Sequence, residues 1–148
     1  MLEVIATGIG LIALTVVMHA VGTVGLMRSF ARHFAELEAR FKARTALLAI
    51  VWFATALMIL HVLEILLWAL AYRWLVPSHR LDTFEEATYF SFVTFTTVGY
   101  GDVTLGVDEW RLLSGIEALD GILLVGWSTA LLFAVLQRSW RGLGHHGN

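Results

Sequence analysis

The chain has no cysteine, one proline and few charged residues, and each shortage narrows the possible functions. Because none of its 148 residues is cysteine, it can form no disulfide, use no thiol nucleophile and hold no thiolate-ligated metal. Charged residues make up 15% of the chain and hydrophobic residues 58%, whereas about 25% of an ordinary soluble domain is charged. The net charge of −2 gives no reason to expect a nucleic-acid partner. Composition therefore predicts a protein that resides in a lipid bilayer.

Three apolar segments are long enough to span a bilayer, which takes about 20 helical residues. They cover residues 4–27, 45–75 and 108–140. A fourth apolar segment, residues 84–95, is too short to span and predicts a re-entrant helix surrounded by protein. The run Thr83-Phe84-Glu85-Glu86 fits a capping box, so we expect this helix to begin at Thr83. The predicted fold is an all-α membrane protein with three transmembrane helices and one re-entrant helix.

The linker of residues 28–44 has the pattern of an amphipathic helix. Its large apolar residues fall on one helical face, at Phe30, Phe34, Leu37 and Phe41. This pattern favours a helix lying on the cytoplasmic membrane surface. Since no glycine or proline occurs between Arg28 and Val76, the linker could instead continue straight into the second span. We favour a bend near Arg44-Thr45.

The most specific pattern is the run Thr96-Thr97-Val98-Gly99-Tyr100-Gly101-Asp102, which directly follows the short helix. A ring of backbone carbonyls can replace the water around K⁺, and glycine permits backbone conformations that residues with a Cβ resist. The run closely resembles the signature of the potassium-channel family. The resemblance extends over residues 45–140, where outer helix, pore helix, filter and inner helix follow in the order of the two-helix pore domain.

This resemblance implies a selectivity filter that conducts K⁺, with no cofactor besides the permeant ions. The ion-binding residues would be Thr97, Val98, Gly99, Tyr100 and Gly101, with K⁺ held at the first four. Thr96, Asp102 and Tyr89 would support the filter and its mouth, with Asp102 hydrogen-bonded to Tyr89 or to another pore-helix or neighbouring group. The chain departs from the family pattern in lacking the common proline after the filter and in carrying Val93 where some members have a glutamate.

A single filter strand cannot encircle an ion, and the chain carries one copy of the motif. We therefore expect a homotetramer. By resemblance, the inner helices would line a cavity with Ile122, Val125 and Thr129. Phe133 or Leu136 would form a hydrophobic constriction near the cytoplasmic end.

Two glycines of the third long segment, Gly121 and Gly126, lie at spacings from Asp102 similar to those of the family's inner-helix glycines. Each could act as a gating hinge. Each could instead allow close packing of helices, which is the commoner role of a transmembrane glycine.

Four ionisable residues fall inside the predicted pore domain's spans: His61, Glu64, Glu117 and Asp120. Intramembrane carboxylates are costly and by default indicate function. We expect a buried polar network that braces the filter through Tyr89, Ser91, Thr94 or Thr97. Proton-sensitive gating and a metal site formed by His61, Glu64 and Asp120 are the alternatives. His19, in the first span, is assigned no special role.

The basic residues predict the orientation, because cytoplasmic loops carry an excess of them. Seven of the ten lie in residues 28–44 or after residue 137, namely Arg28, Arg32, Arg40, Lys42, Arg44, Arg138 and Arg141. We expect a multi-pass protein of the cell membrane with its N-terminus outside and its C-terminus in the cytoplasm.

The chain divides into four predicted parts. A first transmembrane helix (1–27) and the linker (28–44) precede the pore domain (45–141), and a short tail (142–148) follows, with no cytosolic ligand-binding domain. The pore domain consists of an outer helix (45–75), pore helix (83–95), filter (96–102) and inner helix (108–140).

The predicted function is passive, selective conduction of K⁺. A weakly selective cation channel and a non-conducting accessory or sensor subunit are the alternatives. An enzyme has least support, because no nucleophile–base pair or cofactor motif accompanies the intramembrane acids.

Overall fold

A computed structural model of the chain describes residues 1–35, 43–77 and 81–144. Three long helices dominate it: α1 (Leu2–Ala35), α2 (Ala43–Leu75) and α4 (Arg111–Gly144). The short helix α3 (Phe84–Phe95) lies between α2 and α4 in the chain, and a single 3₁₀ turn (Asp108–Trp110) leads into α4. The described residues contain no strand, which confirms the all-α fold. Leu2–Arg32, Leu47–Leu75 and Asp108–Gln137 are each long and apolar enough to cross a membrane.

The short helix begins where the capping box predicts. The backbone N–H of Glu86 donates to Thr83 Oγ1 at 3.1 Å, and the backbone N–H of Thr83 donates to Glu86 Oε2 at 3.0 Å. These bonds satisfy two of the N–H groups that the first helical turn leaves without partners. The donors on Thr83, its backbone N–H and its hydroxyl at 2.9 Å, also hold the pKa of the Glu86 carboxyl below its usual value.

The linker differs from its predicted form at both ends. Helix α1 does not stop near residue 27 but continues to Ala35, and α2 begins at Ala43 and includes Arg44 and Thr45, where a bend was expected. Neither residues 28–35 nor residues 43–45 contain glycine or proline, so nothing interrupts the helical hydrogen bonds within these two stretches. Residues 36–42 of the predicted surface helix lie outside the described residues.

Because α1 continues past residue 27, Phe30 belongs to this helix and is buried. Instead of facing the membrane surface, it is buried against Phe53 of α2, with ring centroids 5.8 Å apart in an edge-to-face arrangement. Ala49, Leu57 and Val135 complete this cluster, so that α1, α2 and α4 are joined at the end of the bundle that carries the linker.

A larger apolar cluster occupies the opposite half of the bundle. Fully buried Trp68 and Tyr72 of α2 lie in it together with Phe95 of α3 and Leu113 and Leu124 of α4. Helix α3 packs against both α2 and α4, while α1 also contacts both of them. The bundle therefore holds the C-terminal end of α3 in its interior.

One face of α4 remains exposed and apolar. Ile122 and Phe133 are each more than half exposed, and Val125 and Thr129 are exposed beside them. Leu136 is half-buried. These are the residues expected to line a cavity and its constriction, and within the described part of one chain no helix covers them.

Helix α4 lies close against the end of α3 at Gly121. A Cβ at this position would overlap the backbone carbonyl oxygen of Phe95. A Cβ at Gly126 would meet nothing within 4 Å. Close packing is thus the observed role of Gly121, whereas Gly126 has no packing role among the described residues of one chain, and hinge motion at either glycine stays a prediction.

We expect Gly121→Ala to destabilise the fold, because the added methyl meets backbone rather than a movable side chain. Overpacking of this kind costs about 1–3 kcal/mol. Loss of helical circular dichroism on heating the detergent-solubilised protein measures the effect. Gly126→Ala is the matched control and should melt like the wild type. Equal melting temperatures for the two variants would contradict the close approach.

Candidate functional site

The Thr96–Asp102 segment turns back along the end of α3. The backbone N–H of Thr97 donates to the Thr94 carbonyl at 2.9 Å, and that of Gly99 donates to the Val93 carbonyl at 3.0 Å. The last turn of α3 therefore anchors the first half of the segment, and the position of α3 determines where the segment lies.

Positive φ angles occur at every second residue of this segment. Thr97, Gly99 and Gly101 have φ of 60°, 55° and 79°, and Thr97 is the one non-glycine residue with positive φ in the described part of the chain. A Cβ in this region costs about 1–2 kcal/mol, which explains glycine at two of the three positions. When residues with positive φ alternate with residues with negative φ, successive backbone carbonyls can face the same side of the chain.

The outer end of the segment is tied to α3 by one side-chain contact. The hydroxyl of Tyr89 donates to Asp102 Oδ2 at 2.7 Å, as the sequence predicts. This bond holds the pKa of Asp102 below its usual value and raises the pKa of Tyr89. The intervening Val98 and Tyr100 side chains are mostly exposed in the single chain.

Behind the segment, Glu117 connects three helices. It is fully buried and accepts from the Tyr72 hydroxyl of α2 at 2.7 Å, while the Ser91 hydroxyl of α3 lies 2.5 Å from its other oxygen. Ser91 Oγ also lies 2.9 Å from the carbonyl oxygen of Ile65. Glu117 thus fixes the middle of α3 against α2 and α4.

Asp120, one turn further along α4, connects α4 to both α1 and α2. Its Oδ2 accepts from Trp68 Nε1 at 3.0 Å and from the Thr15 hydroxyl at 2.7 Å. Its Oδ1 is buried without a hydrogen-bond partner. Both donors are themselves fully buried, so this carboxylate depends entirely on the packing of α1 and α2.

A second polar cluster, which we call the histidine cluster, consists of His19, His61, Glu64 and Ser128. The Nδ1 atoms of His19 and His61 lie 2.7 Å and 2.8 Å from the two oxygens of Glu64. The Nε2 atoms of the same histidines lie 3.4 Å and 2.9 Å from Ser128 Oγ. The two imidazole rings stack, with centroids 5.3 Å apart. The cluster connects α1, α2 and α4 in one closed circuit.

The predicted polar network therefore exists, but its membership differs from the prediction. His61, Glu64, Glu117 and Asp120 are all buried, as expected. Of the predicted bridges, Ser91 contacts a buried acid of the network, Glu117, whereas Tyr89 contacts Asp102 at the outer end of the segment. The third member of the possible metal set is His19 rather than Asp120, because His19 faces Glu64 across the α1–α2 contact.

The network members that sequence analysis missed come mainly from α1 and α2. They are Thr15, His19, Trp68, Tyr72 and Ser128. One signal for the α1 residues was available: Thr15, His19 and Thr23 recur at intervals of four, which places them on one helical face. All three are buried, so a polar face of α1 is packed inward.

Geometry and composition define a multi-pass membrane protein with a strained backbone segment between two spans. Residues 45–138 match the family model described as "Ion channel", which is more than half of the chain. The protein therefore belongs to the ion-channel family. Helix α1 lies outside the matched residues.

Two relatives are similar over parts of the chain. "Two-pore potassium channel 1" of Arabidopsis thaliana is 39% identical over 51 residues, which cover 34% of this chain and 14% of that protein. "Protein LctB" of Geobacillus stearothermophilus is 32% identical over 80 residues, or 49% of this chain and 58% of that protein. The chain thus matches less than two thirds of either relative. No solved structure matches it.

We expect Trp68→Phe to lower stability, because it removes the indole N–H that donates to buried Asp120 and leaves that acceptor with one donor fewer. Such a loss costs about 1–3 kcal/mol. Trp74→Phe is the matched control, since Trp74 is 80% exposed. Thermal melting followed by circular dichroism should show a lower midpoint for the first variant alone; a similar decrease in both would contradict the role of the Trp68 contact.

Proposed function

We propose that this protein is the pore-forming subunit of a potassium-selective channel. The observation that carries the proposal is the alternation of positive φ along Thr97–Gly101 within the run Thr96–Asp102. K⁺ gives up its hydration shell when backbone carbonyls replace the water. Carbonyls facing one side of the chain are what such replacement requires. In this proposal, K⁺ binds at Thr97, Val98, Gly99 and Tyr100, with Gly101 completing the filter.

The relative from Arabidopsis thaliana supports the choice of ion. Its name specifies potassium. The similarity covers 14% of that protein. It therefore supports K⁺ as the conducted ion and no further property of this chain.

We infer a homotetramer from the surfaces that one chain leaves open. The filter segment is exposed along its length, with Tyr100 at 73% exposure, and the adjacent face of α4 is apolar and uncovered. Four copies around an axis would surround an ion with carbonyls from four segments and bury these faces in one another. The exposed residues Ile122, Val125 and Thr129 would then line the cavity below the filter, with Phe133 or Leu136 at its cytoplasmic end.

In this proposal, buried Glu117 and the close contact at Gly121 keep the end of α3 in place. Glu117 holds α3 through Ser91, and Gly121 allows α4 to contact the carbonyl of Phe95, the last residue of α3. The strained Thr97 follows two residues later. A strained backbone persists only where its surroundings over-determine it, and these contacts supply that restraint.

The distribution of basic residues supports an orientation with the N-terminus outside and the C-terminus in the cytoplasm. In that orientation Asp102 lies at the outer mouth, where four carboxylates would raise the local concentration of cations. The C-terminal end of α3, with its partial negative charge, would point toward the ion pathway.

Flux measurements on proteoliposomes test the proposal directly. Wild-type protein should conduct K⁺ and show a reversal potential in mixed K⁺ and Na⁺ that follows the K⁺ gradient. We expect Gly99→Ala to reduce K⁺ flux by more than about tenfold, since a Cβ at φ +55° costs about 1–2 kcal/mol in each subunit.

Gly115→Ala is the control for this substitution, because a Cβ at Gly115 meets nothing within 4 Å. It should conduct like the wild type. A reversal potential that ignores the K⁺ gradient would instead indicate a weakly selective cation channel. Absence of flux from correctly folded protein would indicate an accessory or sensor subunit.

The Tyr89–Asp102 contact predicts a dependence on pH. Because the bond lowers the pKa of Asp102, its stabilising effect is complete above the ordinary aspartate pKa and is lost as the pH falls through the lowered value. Tyr89→Phe removes the bond, so the pKa of Asp102 rises toward its ordinary value. The carboxylate that attracts cations to the outer mouth is then neutralised at a higher pH. Loss of K⁺ flux on acidification of the outer solution should therefore begin at higher pH in this variant. Ser114→Ala, which also removes one hydroxyl, should retain the wild-type profile. Identical profiles for Tyr89→Phe and wild type would contradict this role.

A further inference from the structure

We propose that His19, His61 and Glu64 form a binding site for a divalent transition-metal ion of the zinc class. The three side chains come from α1 and α2, and the proposed K⁺ filter uses none of them. His19 lies outside the residues matched by the family model, so the set is completed only by α1. Metal binding stands independently of the proposed function, whereas its effect on conduction rests on that function.

The three residues meet the first requirement of a metal site, which is a set of close ligand atoms. One ligand atom of each lies within 4.8 Å of those of the other two. Imidazole nitrogen and carboxylate oxygen are ligands that Zn²⁺ accepts, at about 2.0–2.2 Å. Small outward shifts of the two rings from Glu64 would make room for an ion between them, with both carboxylate oxygens and both Nδ1 atoms facing it.

Ser128 meets the second requirement, which is support for the ligands from behind. A metal-bound histidine usually donates its other ring N–H to an oxygen. With both Nδ1 atoms on the metal, both Nε2–H groups face Ser128 Oγ, at 2.9 Å and 3.4 Å. A hydroxyl has two lone pairs and can accept both bonds. The histidine cluster therefore contains the outer contacts that a two-histidine, one-carboxylate site needs.

Burial supplies the driving force. Glu64 is fully buried, and its two oxygens each contact a histidine, with no lysine or arginine bonded to either oxygen in the described part of the chain. A buried carboxylate needs a compensating positive charge, which a divalent ion supplies without a proton on either ring. The stacked rings, with centroids 5.3 Å apart, already present both nitrogens to the same carboxylate.

An ion also has a path to the site. His61 and Ser128 line a groove of about 310 Å³ between α2, α3 and α4, which Phe95 and Thr96 border as well. His61 is the cluster's least buried ligand, with 11% of its side chain exposed. The groove therefore connects the ligand set with the region directly below the Thr96–Asp102 segment.

Metal occupancy would fasten α1 to α2 next to the end of α3. The ring of His61 lies 6.0 Å from that of Phe95, the residue that α4 contacts at Gly121. We therefore expect an occupied site to resist relative movement of these helices and, if the protein conducts K⁺, to change the flux.

The test measures Zn²⁺ binding to the full chain purified in detergent micelles. Every sample carries His145→Gln and His146→Gln, so that the terminal histidine pair cannot contribute. We expect about one Zn²⁺ per chain by elemental analysis after dialysis and a higher melting temperature than in the chelator-treated protein. Co²⁺ in place of Zn²⁺ should produce the intense visible absorption of a four-coordinate ion with nitrogen and oxygen ligands.

Variants then assign the ligands. His19→Gln, His61→Gln and Glu64→Gln should each abolish the stoichiometric Zn²⁺, whereas Glu117→Gln, the same change in another fully buried glutamate, should retain it. Ser128→Ala should weaken Zn²⁺ binding by about 10–100-fold, and Thr129→Val, the adjacent hydroxyl, should not. Circular dichroism verifies that each variant is folded.

Two results would overturn the proposal, and neither requires a variant that folds poorly. One is the absence of bound Zn²⁺ and of the Co²⁺ absorption in the parent protein. The other is metal binding that Glu64→Gln and Ser128→Ala leave unchanged. K⁺ flux measured separately with and without Zn²⁺ distinguishes a failure of the channel function from a failure of the metal site.

Discussion

Three carboxylates buried among membrane-spanning helices impose the constraint on which the rest of the structure depends. An ionisable group in this setting is costly unless donors or an opposite charge surround it. A single helix cannot supply enough partners, because residues on its other faces point away from the acid. Glu64 of α2 and Glu117 and Asp120 of α4 accordingly take partners from α1, α2 and α3, and satisfying them determines how the helices pack.

The same contacts connect the bundle to the Thr96–Asp102 segment. Ser91 holds α3 in the middle, Gly121 admits the carbonyl of Phe95 at its end, and Tyr89 secures Asp102 beyond it. The strained φ at Thr97 lies between these restraints. In the proposed channel, the helices thus support the ion-binding carbonyls indirectly, by keeping the ends of a strained segment in place. Helix α1 takes part in this support, although it lies outside the residues shared with the ion-channel family.

Features that depend on short stretches of chain could be predicted from the sequence. The three spans follow from apolar length, the start of α3 from the capping box, and the Tyr89–Asp102 contact from the resemblance to a known motif. The inward role of His19 could not be predicted in the same way, since it depends on which face of α1 meets α2. The recurrence of Thr15, His19 and Thr23 every four residues marks a polar face of α1. That pattern alone does not indicate which helix packs against the face.

The linker illustrates the same division. Its apolar periodicity matched a surface helix, yet α1 continues as far as Ala35, and Phe30 packs on Phe53 instead. By itself, the sequence determined the number of spans, the identity of the Thr96–Asp102 run and the presence of costly acids within the membrane. Only the tertiary structure decided which donors those acids receive and that α1 supplies two of them. The reason is physical: hydropathy and capping depend on residues within one helix, whereas the hydrogen-bond partners of a buried carboxylate depend on how several helices pack together.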